Sequence, residues 1–426
     1  MLAAFLITLF GLILINVPVA FCLIATAIVM MMLQSNTVSA QILTQSLIKG
    51  VDSFPLLAIP FFMIAGEIMN QGGLSSKIVK FAQALVGHIT GGVGYVGVVA
   101  SMIFAGVSGS AVADTTAVGS VLLPIMKENG YESNKSTSLI CSAGCIGPII
   151  PPSIPLILYG VTVGVSIVKL FLGGIVPGVL IGFALMTVWY FHAKKHNYRS
   201  GGRASVKEVL KASKEAFWAI ILPIIILGGI VTGIATPTEA AVVAVVYAFV
   251  VSKFIYRELK MSQMPEILID AARGTAVIMM VVGGATTAAY LITTAHIPQL
   301  LTSALLAISD NIYVILFLVN ILLLLVGCVM DMGPAILILA PILLPLIEGF
   351  GLDPVHFGVI MTVNLCIGLL TPPVGNVLYV GIGLGKTSMV ELTKAMWPFL
   401  AVMVAVLLLI TYTPGLVMFI PNMIGR

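Results

Sequence analysis

Charged residues are scarce in this sequence of 426 residues: 8% are Asp, Glu, Lys or Arg, whereas 60% are hydrophobic. A soluble domain carries about 25% charged residues. A water-soluble fold is therefore excluded, because one core could not hide so much apolar surface, and lipid must be the solvent. Extended polar stretches are equally scarce, since only 193–215 qualifies, and it is rich in Lys and Arg.

The sequence also lacks the patterns of an enzyme, a metalloprotein or a nucleic-acid partner. The five cysteines lie in apolar segments without zinc-ligand spacing, and we interpret them as packing residues. The five histidines lie at segment ends or in loops and do not have the spacing of metal ligands. Ser108-Gly109-Ser110 does not match the G-x-S-x-G motif of serine hydrolases, and no His lies near it in sequence.

What the sequence does contain is a repeat of itself, displaced by 221 residues. The clearest match pairs 145–152 with 366–373, each a Gly/Pro-interrupted apolar segment ending in Pro-Pro. A duplicated membrane protein whose two halves both carry such an interruption is typical of a secondary transporter.

Apolar runs predict five membrane spans in each half. The predicted spans lie near 1–16, 18–33, 54–70, 136–164 and 166–192, and near 216–234, 237–256, 271–293, 355–385 and 393–413. We interpret the first run as a membrane helix and not a signal peptide, because no basic residue precedes it. Segments 74–88 and 296–308 are amphipathic and predict helices lying in the membrane interface.

Two further apolar stretches, 94–126 and 312–347, predict re-entrant hairpins. Each leg has roughly 14 residues, or about 21 Å of helix, against a hydrocarbon core of about 30 Å. The first breaks at 106–110 and the second at 327–334. Irregular backbone at this depth is tolerated only where it is buried in protein or lines a cavity.

The predicted fold is an all-α polytopic membrane protein of two inverted repeats, each with about five spans and one re-entrant hairpin. The first repeat is 1–192, with scaffold helices in 1–90. The basic linker 193–215 follows, and the second repeat is 216–426, with scaffold helices in 216–308. With this linker placed in the cytoplasm, 17 of the 20 Lys and Arg residues lie on the cytoplasmic side. The three others, Lys49, Lys169 and Arg426, lie outside together with the N-terminus, which satisfies the positive-inside rule.

Four acidic residues lie within or at the ends of apolar segments, where an ionisable group is by default a functional candidate. Asp331 lies in the second hairpin break and is the best candidate cation ligand, whereas Asp114 follows the first break by one helical turn. Glu239 begins a span and complements its helix N-terminus. Glu67 lies near the end of its span and is either functional or simply solvated.

The Pro-Pro interruptions at 147–153 and 368–376 supply the other half of each site. Proline removes a backbone donor and clashes with the preceding turn, so neither segment continues as a helix. The freed carbonyl oxygens suit a hard cation, and the N-termini of the following half-helices suit a substrate carboxylate. No arginine lies in this predicted site.

Five motifs together resemble the large membrane subunit of tripartite ATP-independent periplasmic (TRAP) transporters over essentially the whole chain. They are GEIMNQGGL at 66–74, FAGVSGSAVAD at 104–114, GPIIPPS at 147–153, TPTEA at 236–240 and TPPVGN at 371–376. The resemblance implies a bacterial inner-membrane, sodium-driven importer of organic acid anions. It also implies a small four-helix membrane subunit and a periplasmic substrate-binding protein as partners.

The resemblance and the residues together lead us to expect an elevator fold similar to the ion-transporter superfamily. In it, the hairpins and broken spans slide against the scaffold. We expect sodium at Ser108, Ser110, Asp114, Gly147, Pro148, Pro151, Gly327, Asp331, Thr371 and Pro372. We expect substrate, a sialic acid or C4-dicarboxylate, at Ser108, Gly109, Ser153, Gly333, Pro334 and Asn376. The alternatives are a stand-alone carboxylate carrier, an intramembrane enzyme and a passive channel.

Overall fold

The computed structural model describes residues 1–34, 39–198, 202 and 204–424. Within these ranges the chain forms twenty α-helices and no strand. The all-α prediction is confirmed. Arg199, Arg203 and Arg426, which entered the charge balance, lie outside the described residues.

Ten helices precede the basic linker, and a 3-10 turn at Phe54–Leu57 leads into the fourth. They are α1 (Leu2–Leu14), α2 (Val19–Leu33), α3 (Ala40–Val51), α4 (Ala58–Gln71), α5 (Leu74–Val86), α6 (Gly92–Ser108), α7 (Ala111–Glu128), α8 (Ser133–Gly144), α9 (Ile154–Val163) and α10 (Ile167–Lys195).

Ten helices follow the linker, with a π-helical turn at Val251–Ile255 and a 3-10 turn at Met261–Gln263. They are α11 (Val206–Val231), α12 (Pro237–Val250), α13 (Met264–Thr294), α14 (Ile297–Leu306), α15 (Ile312–Gly327), α16 (Met332–Gly349), α17 (Pro354–Gly368), α18 (Asn376–Gly385), α19 (Met389–Tyr412) and α20 (Pro414–Ile424).

Capping residues fix where the second-half helices begin. Thr236 and Glu239 form a reciprocal capping box at α12, in which each side chain accepts the other's backbone N–H. This confirms Glu239 as an N-terminal acid. Ser205 and Glu208 form the same box at α11. That helix consequently begins ten residues before the predicted span 216–234, inside the predicted linker.

Seven helices of the described chain are long and apolar enough to cross a membrane on their own. Two predicted spans are shorter, because α1 has 13 residues and α2 has 15, against about 20 needed for a perpendicular span. The hairpin legs are longer than predicted, at 17, 18, 16 and 18 residues for α6, α7, α15 and α16.

The order of helices in the second half follows that of the first at the 221-residue displacement. Helix α7 maps onto the bounds of α16 without any offset, and α8 and α17 begin at equivalent positions. Both predicted broken spans are interrupted: 145–153 separates α8 from α9, and 369–375 separates α17 from α18. Each interruption contains a cis peptide bond, before Pro152 and before Pro373.

The two broken segments run antiparallel to each other. At one end, the hydroxyl of Ser133, the first residue of α8, donates to the carbonyl of Gly385, the last residue of α18, at 3.2 Å. At the other, the Tyr159 hydroxyl in α9 donates to the Pro354 carbonyl at the start of α17 at 2.8 Å. The beginning of each broken segment therefore lies beside the end of the other.

The helices pack in two groups. In one, α4 lies on α12, α5 on α11, and α13 on α2, α3 and α4. In the other, the hairpins and broken segments surround each other, with α7 on α8 and α18, α16 on α9 and α17, and α10 on α19 and α20. The groups meet where α5 touches α6 and α13 touches α16.

Two helices were absent from the sequence-based prediction. Helix α3 has no fully buried side chain and packs on α13, and α20 follows the predicted final span. The amphipathic segments 74–88 and 296–308 are helical, as α5 and α14. The buried face of α5 includes Ile78, Val79 and Ala82, whereas Leu85 is 40% exposed.

Candidate functional site

A cavity of about 260 Å³ lies where the two hairpin breaks meet the two broken segments. Its walls also include α4 and α13, so both packing groups contribute to it. The lining residues are Met63, Gly66, Glu67, Asn70, Phe104, Ser108, Gly109, Ser110, Ala111, Val112, Ala113, Pro148, Ile154, Pro155, Leu158, Ile278, Asp331, Met332, Gly333, Leu369 and Asn376.

Four helices begin at this cavity. Its lining includes first-turn residues of α7, α9, α16 and α18. Unpaired N–H groups and the macrodipole give every helix N-terminus a partial positive charge. Four converging N-termini therefore make a binding surface for an anion, although none of the described Lys, Arg or His residues lines the cavity.

The first half-site is built around Asp114, in the first turn of α7. Its side chain is completely buried, one carboxylate oxygen accepts the Ser108 hydroxyl, and the other has no hydrogen-bond partner. Gly147 of the first unwound turn lies against that second oxygen, so closely that an added Cβ would clash with it. A carboxylate buried in this way needs a cation or a proton to offset its desolvation.

The tip of the first hairpin is a two-residue turn that only glycine suits. Gly109 has a φ of 60°. This left-handed conformation is unfavourable for any residue that has a Cβ atom. A Cβ there would also lie 2.7 Å from the Pro152 carbonyl oxygen. The hairpin tip thus sits directly on the first unwound turn.

The second half-site is built around Asp331, which precedes α16 and is solvent-accessible. Its carboxylate accepts a hydrogen bond from the Asn376 side-chain amide at 3.1 Å. The hairpin break is joined to the second unwound turn by the Val374 N–H, which donates to the Cys328 carbonyl at 3.0 Å. The Cys328 thiol and the Thr371 hydroxyl lie 2.8 Å apart.

Four of the six residues expected to bind substrate line the cavity: Ser108, Gly109, Gly333 and Asn376. The other two do not. Ser153 is fully buried, and its hydroxyl donates to the Pro148 carbonyl and caps α9 by accepting the Leu156 N–H. Pro334 lines a neighbouring apolar cavity of about 520 Å³ between α2, α13 and α16.

The residues expected to bind sodium divide in a similar way. Ser108, Ser110, Pro148 and Asp331 line the cavity, and Asp114 and Gly147 lie directly behind its wall. The remaining four are Pro151, Gly327, Thr371 and Pro372, and none of them lines it. Gly327 instead packs against Gly368 of the second broken segment.

The wall that α4 and α13 contribute was not predicted from the sequence. Glu67 and Asn70 lie three residues apart on α4, and Ile278 faces them from α13. Gly66 of the same helix lies against the first hairpin, where a Cβ would be in ordinary van der Waals contact with the Ser108 backbone at 3.7 Å. The sequence feature that could have indicated this wall is Glu67, an ionisable residue within an apolar run. The sequence alone left open whether Glu67 is functional or simply solvated.

Comparison with known proteins decides the family. A family model described as "Tripartite ATP-independent periplasmic transporter, DctM component" matches residues 6–416. The chain belongs to this family. The predicted resemblance to the TRAP large membrane subunit is thereby confirmed, and the family is one of transport proteins rather than enzymes.

Two relatives show how closely the chain resembles named members of the family. It is 44% identical over 409 residues to the 2,3-diketo-L-gulonate TRAP transporter large permease protein YiaN of Escherichia coli, covering 96% of each chain. It is 40% identical over 413 residues to the sialic acid TRAP transporter large permease protein SiaM of Vibrio cholerae, covering 97% of this chain and 96% of that one.

A solved structure shares the fold. The YdaH transporter of Alcanivorax borkumensis superposes with a TM-score of 0.68 at 14% sequence identity, covering 93% of this chain and 96% of that one. At this identity the likeness concerns the fold alone. This chain is therefore a multi-pass membrane protein with a transporter fold.

Proposed function

We propose that this TRAP large permease is a sodium-coupled importer of an organic carboxylate. It takes its substrate from a periplasmic binding protein and works with a small four-helix membrane subunit. It resides in the bacterial inner membrane with its N-terminus in the periplasm. The substrate class is that of sialic acids, related sugar acids or C4-dicarboxylates, as named for its relatives.

The observation that carries the proposal is the convergence of four helix N-termini on one cavity. An anionic group at a single helix N-terminus gains typically 0.3–1 kcal/mol, and about 2 kcal/mol where it is partly buried. Four such ends, with the hydroxyl group of Ser110 as a further donor, suit a carboxylate without any arginine.

Two carboxylates beside this anion site supply the reason for a cation. Asp114 lies behind the cavity wall and Asp331 on it, and no basic side chain lines the same space. An anionic substrate entering there would be repelled unless cations offset the charge. Sodium, a hard cation, suits the carboxylate, hydroxyl and carbonyl oxygens at these two positions.

Binding is then coupled in both directions. Sodium at Asp114 and Asp331 raises substrate affinity, and substrate raises sodium affinity by the same factor. Each net charge carried inward gains roughly 2.3 kcal/mol per 100 mV of membrane potential. Without both ligands, the loaded state carries uncompensated charge and does not form.

The elevator mechanism is supported by the two packing groups. The cavity is formed mostly by hairpins and broken segments, whereas α4 and α13 supply one wall from the other group. Sliding of the first group along this wall moves the bound substrate and both acids together. The antiparallel broken segments support the predicted inversion of the two repeats.

Reconstitution tests this function. The chain, its small subunit and its binding protein are placed in liposomes, and uptake of labelled sialic acid, a sugar acid and succinate is measured with inward sodium or choline gradients. We expect concentrative uptake only with sodium. Uptake that is undiminished without sodium contradicts the coupling.

The same liposomes separate the alternatives. A stand-alone carrier transports without the binding protein, and a passive channel equilibrates substrate but does not accumulate it. We expect omission of the binding protein to abolish uptake. Full uptake in its absence contradicts the tripartite assignment while leaving sodium coupling intact.

A further inference from the structure

Three potential metal ligands meet at the end of α10, far from the cavity. His192 and His196 are four residues apart, one helical turn, and Glu132 lies in the loop between α7 and α8. Their nearest ligand atoms all lie within 4.8 Å of one another. Spacing along the sequence does not reveal this cluster, because the third residue comes from a distant part of the chain.

The geometry of this cluster is close to that of a metal site. The His192 Nε2 lies 3.9 Å from the Glu132 carboxylate, and the two imidazole rings have centroids 4.4 Å apart. Zn²⁺ binds His nitrogen at about 2.0–2.1 Å in a tetrahedral arrangement, which places ligand atoms about 3.4 Å apart. His196 and Glu132 are exposed, so rotation of their side chains can close the difference.

A rigid aromatic framework holds the central ligand. The Trp189 indole N–H donates to the Gly91 carbonyl at 2.8 Å, and its ring stacks with Tyr131. The Tyr198 hydroxyl accepts the Glu132 backbone N–H at 3.0 Å and lies 3.3 Å from the His192 Nε2. These contacts place Glu132 and His192 side by side before any ion binds.

We propose that Glu132, His192 and His196 bind a divalent transition-metal ion of the zinc type. Two imidazoles and one carboxylate are a ligand set that zinc accepts, with a fourth position left for water. The C-terminal end of α10 adds a partial negative charge. Lys135 and Lys195 stand close to His192 and oppose the ion, so we expect micromolar affinity.

Such an ion joins two parts of the first repeat. Glu132 follows the first hairpin, and His196 opens the segment that leads to α11 in the other packing group. Bound metal therefore fixes the start of this connection to the base of the hairpin. This inference does not depend on sodium coupling or on the identity of the transported anion.

Direct binding tests the site. The purified full chain, bearing a tag without histidine, is titrated with Zn²⁺ against a chromogenic chelator, and bound metal is counted by mass spectrometry. We expect about one ion per chain, as one three-ligand site implies. Substitution with Co²⁺ should give the visible absorption of a tetrahedral centre.

Two variants locate the ion. Glu132→Gln and His196→Ala change exposed side chains, so the fold is retained, and each should weaken zinc binding at least about tenfold. His88→Ala, which alters a histidine outside the cluster, should bind zinc like the wild type. No saturable binding by the wild type, or wild-type affinity in both ligand variants, overturns the proposal.

Discussion

The two half-sites at the cavity use one aspartate each but expose them differently. Asp114 lies inside α7, has no solvent-accessible surface and has one carboxylate oxygen without a partner. Asp331 stands at the start of α16, is solvent-accessible and is held by Asn376. The two acids do not correspond under the 221-residue displacement, which pairs Asp331 with Ser110 and Asp114 with Ala335. The first half-site therefore carries a sealed acid and the second an open one, at different positions of the repeat.

The hairpins explain this difference. The first has a two-residue tip, and its legs α6 and α7 pack extensively along each other. The second has a four-residue break, and its legs separate, α15 lying mainly on α17 and α16 on α9 and α13. In the proposed mechanism, a cation at Asp114 would be enclosed by protein, whereas one at Asp331 would exchange with solvent.

Asp114→Asn should have the largest effect. It removes a buried charge that protein atoms alone do not neutralise, so sodium affinity should fall at least about 100-fold, equivalent to roughly 3 kcal/mol. The measurement is the rise in melting temperature with sodium chloride, compared with choline chloride at equal ionic strength. Asp353→Asn, which caps α17 away from the cavity, is the matched control and should respond like the wild type.

Asp331→Asn should have a smaller effect. An accessible charge acts through a higher effective dielectric constant, so we expect sodium affinity to fall only about tenfold. The same melting measurement, repeated over a range of sodium concentrations, gives the shift in midpoint. If sodium affinity falls as much as in Asp114→Asn, the difference in exposure between the two half-sites does not affect cation binding as we predict.

Alanine at two equivalent glycines separates cation binding from packing. Gly147→Ala places a Cβ against the Asp114 carboxylate, so it should reduce the sodium-dependent stabilisation. Gly368→Ala places a Cβ 2.6 Å from the Gly327 backbone, an overpacking that costs about 1–3 kcal/mol of stability in any salt. If the melting temperatures of the two variants depend on sodium in the same way, Gly147 has no specific role in cation binding.

Labelling of a native thiol should give the smallest change. Among the five cysteines, all within the described ranges, Cys328 alone is not fully buried, and it lies in the second hairpin break. A maleimide should modify it more slowly in sodium than in choline, because an ion at Asp331 orders that break. Cys328→Ala provides the unlabelled control. Equal labelling rates in sodium and in choline would contradict the prediction that an ion at Asp331 orders the break that contains Cys328.

The sequence was sufficient to predict features that depend on local chemistry. Proline lacks a donor and Gly109 tolerates a positive φ, so the interruptions after α8 and α17 and the first hairpin tip were predictable. Tertiary features were not. Glu67 lines the cavity because α4 packs against the first hairpin. Glu132 lies beside His192 although the two are 60 positions apart in the sequence. A periodic pattern in the sequence indicates neither contact.

The prediction of helix boundaries was wrong for a related reason. Helix α11 extends into the basic segment because Ser205 and Glu208 cap it there, although hydropathy marks only its membrane part. Helix α3 is amphipathic, with polar residues interrupting its apolar ones, and it packs on α13. Hydropathy detects contact with lipid, whereas these segments are stabilised by caps and neighbouring helices.

The hydrogen bonds at the two ends of the broken segments have a mechanical consequence. Ser133 is hydrogen-bonded to Gly385, and Tyr159 is hydrogen-bonded to Pro354. Each broken segment is therefore bonded to the other near both its N-terminal and its C-terminal end. In the sliding movement that we propose, these bonds would couple the two interruptions so that they move together. A small molecule bound beside either one would then hinder the movement of both.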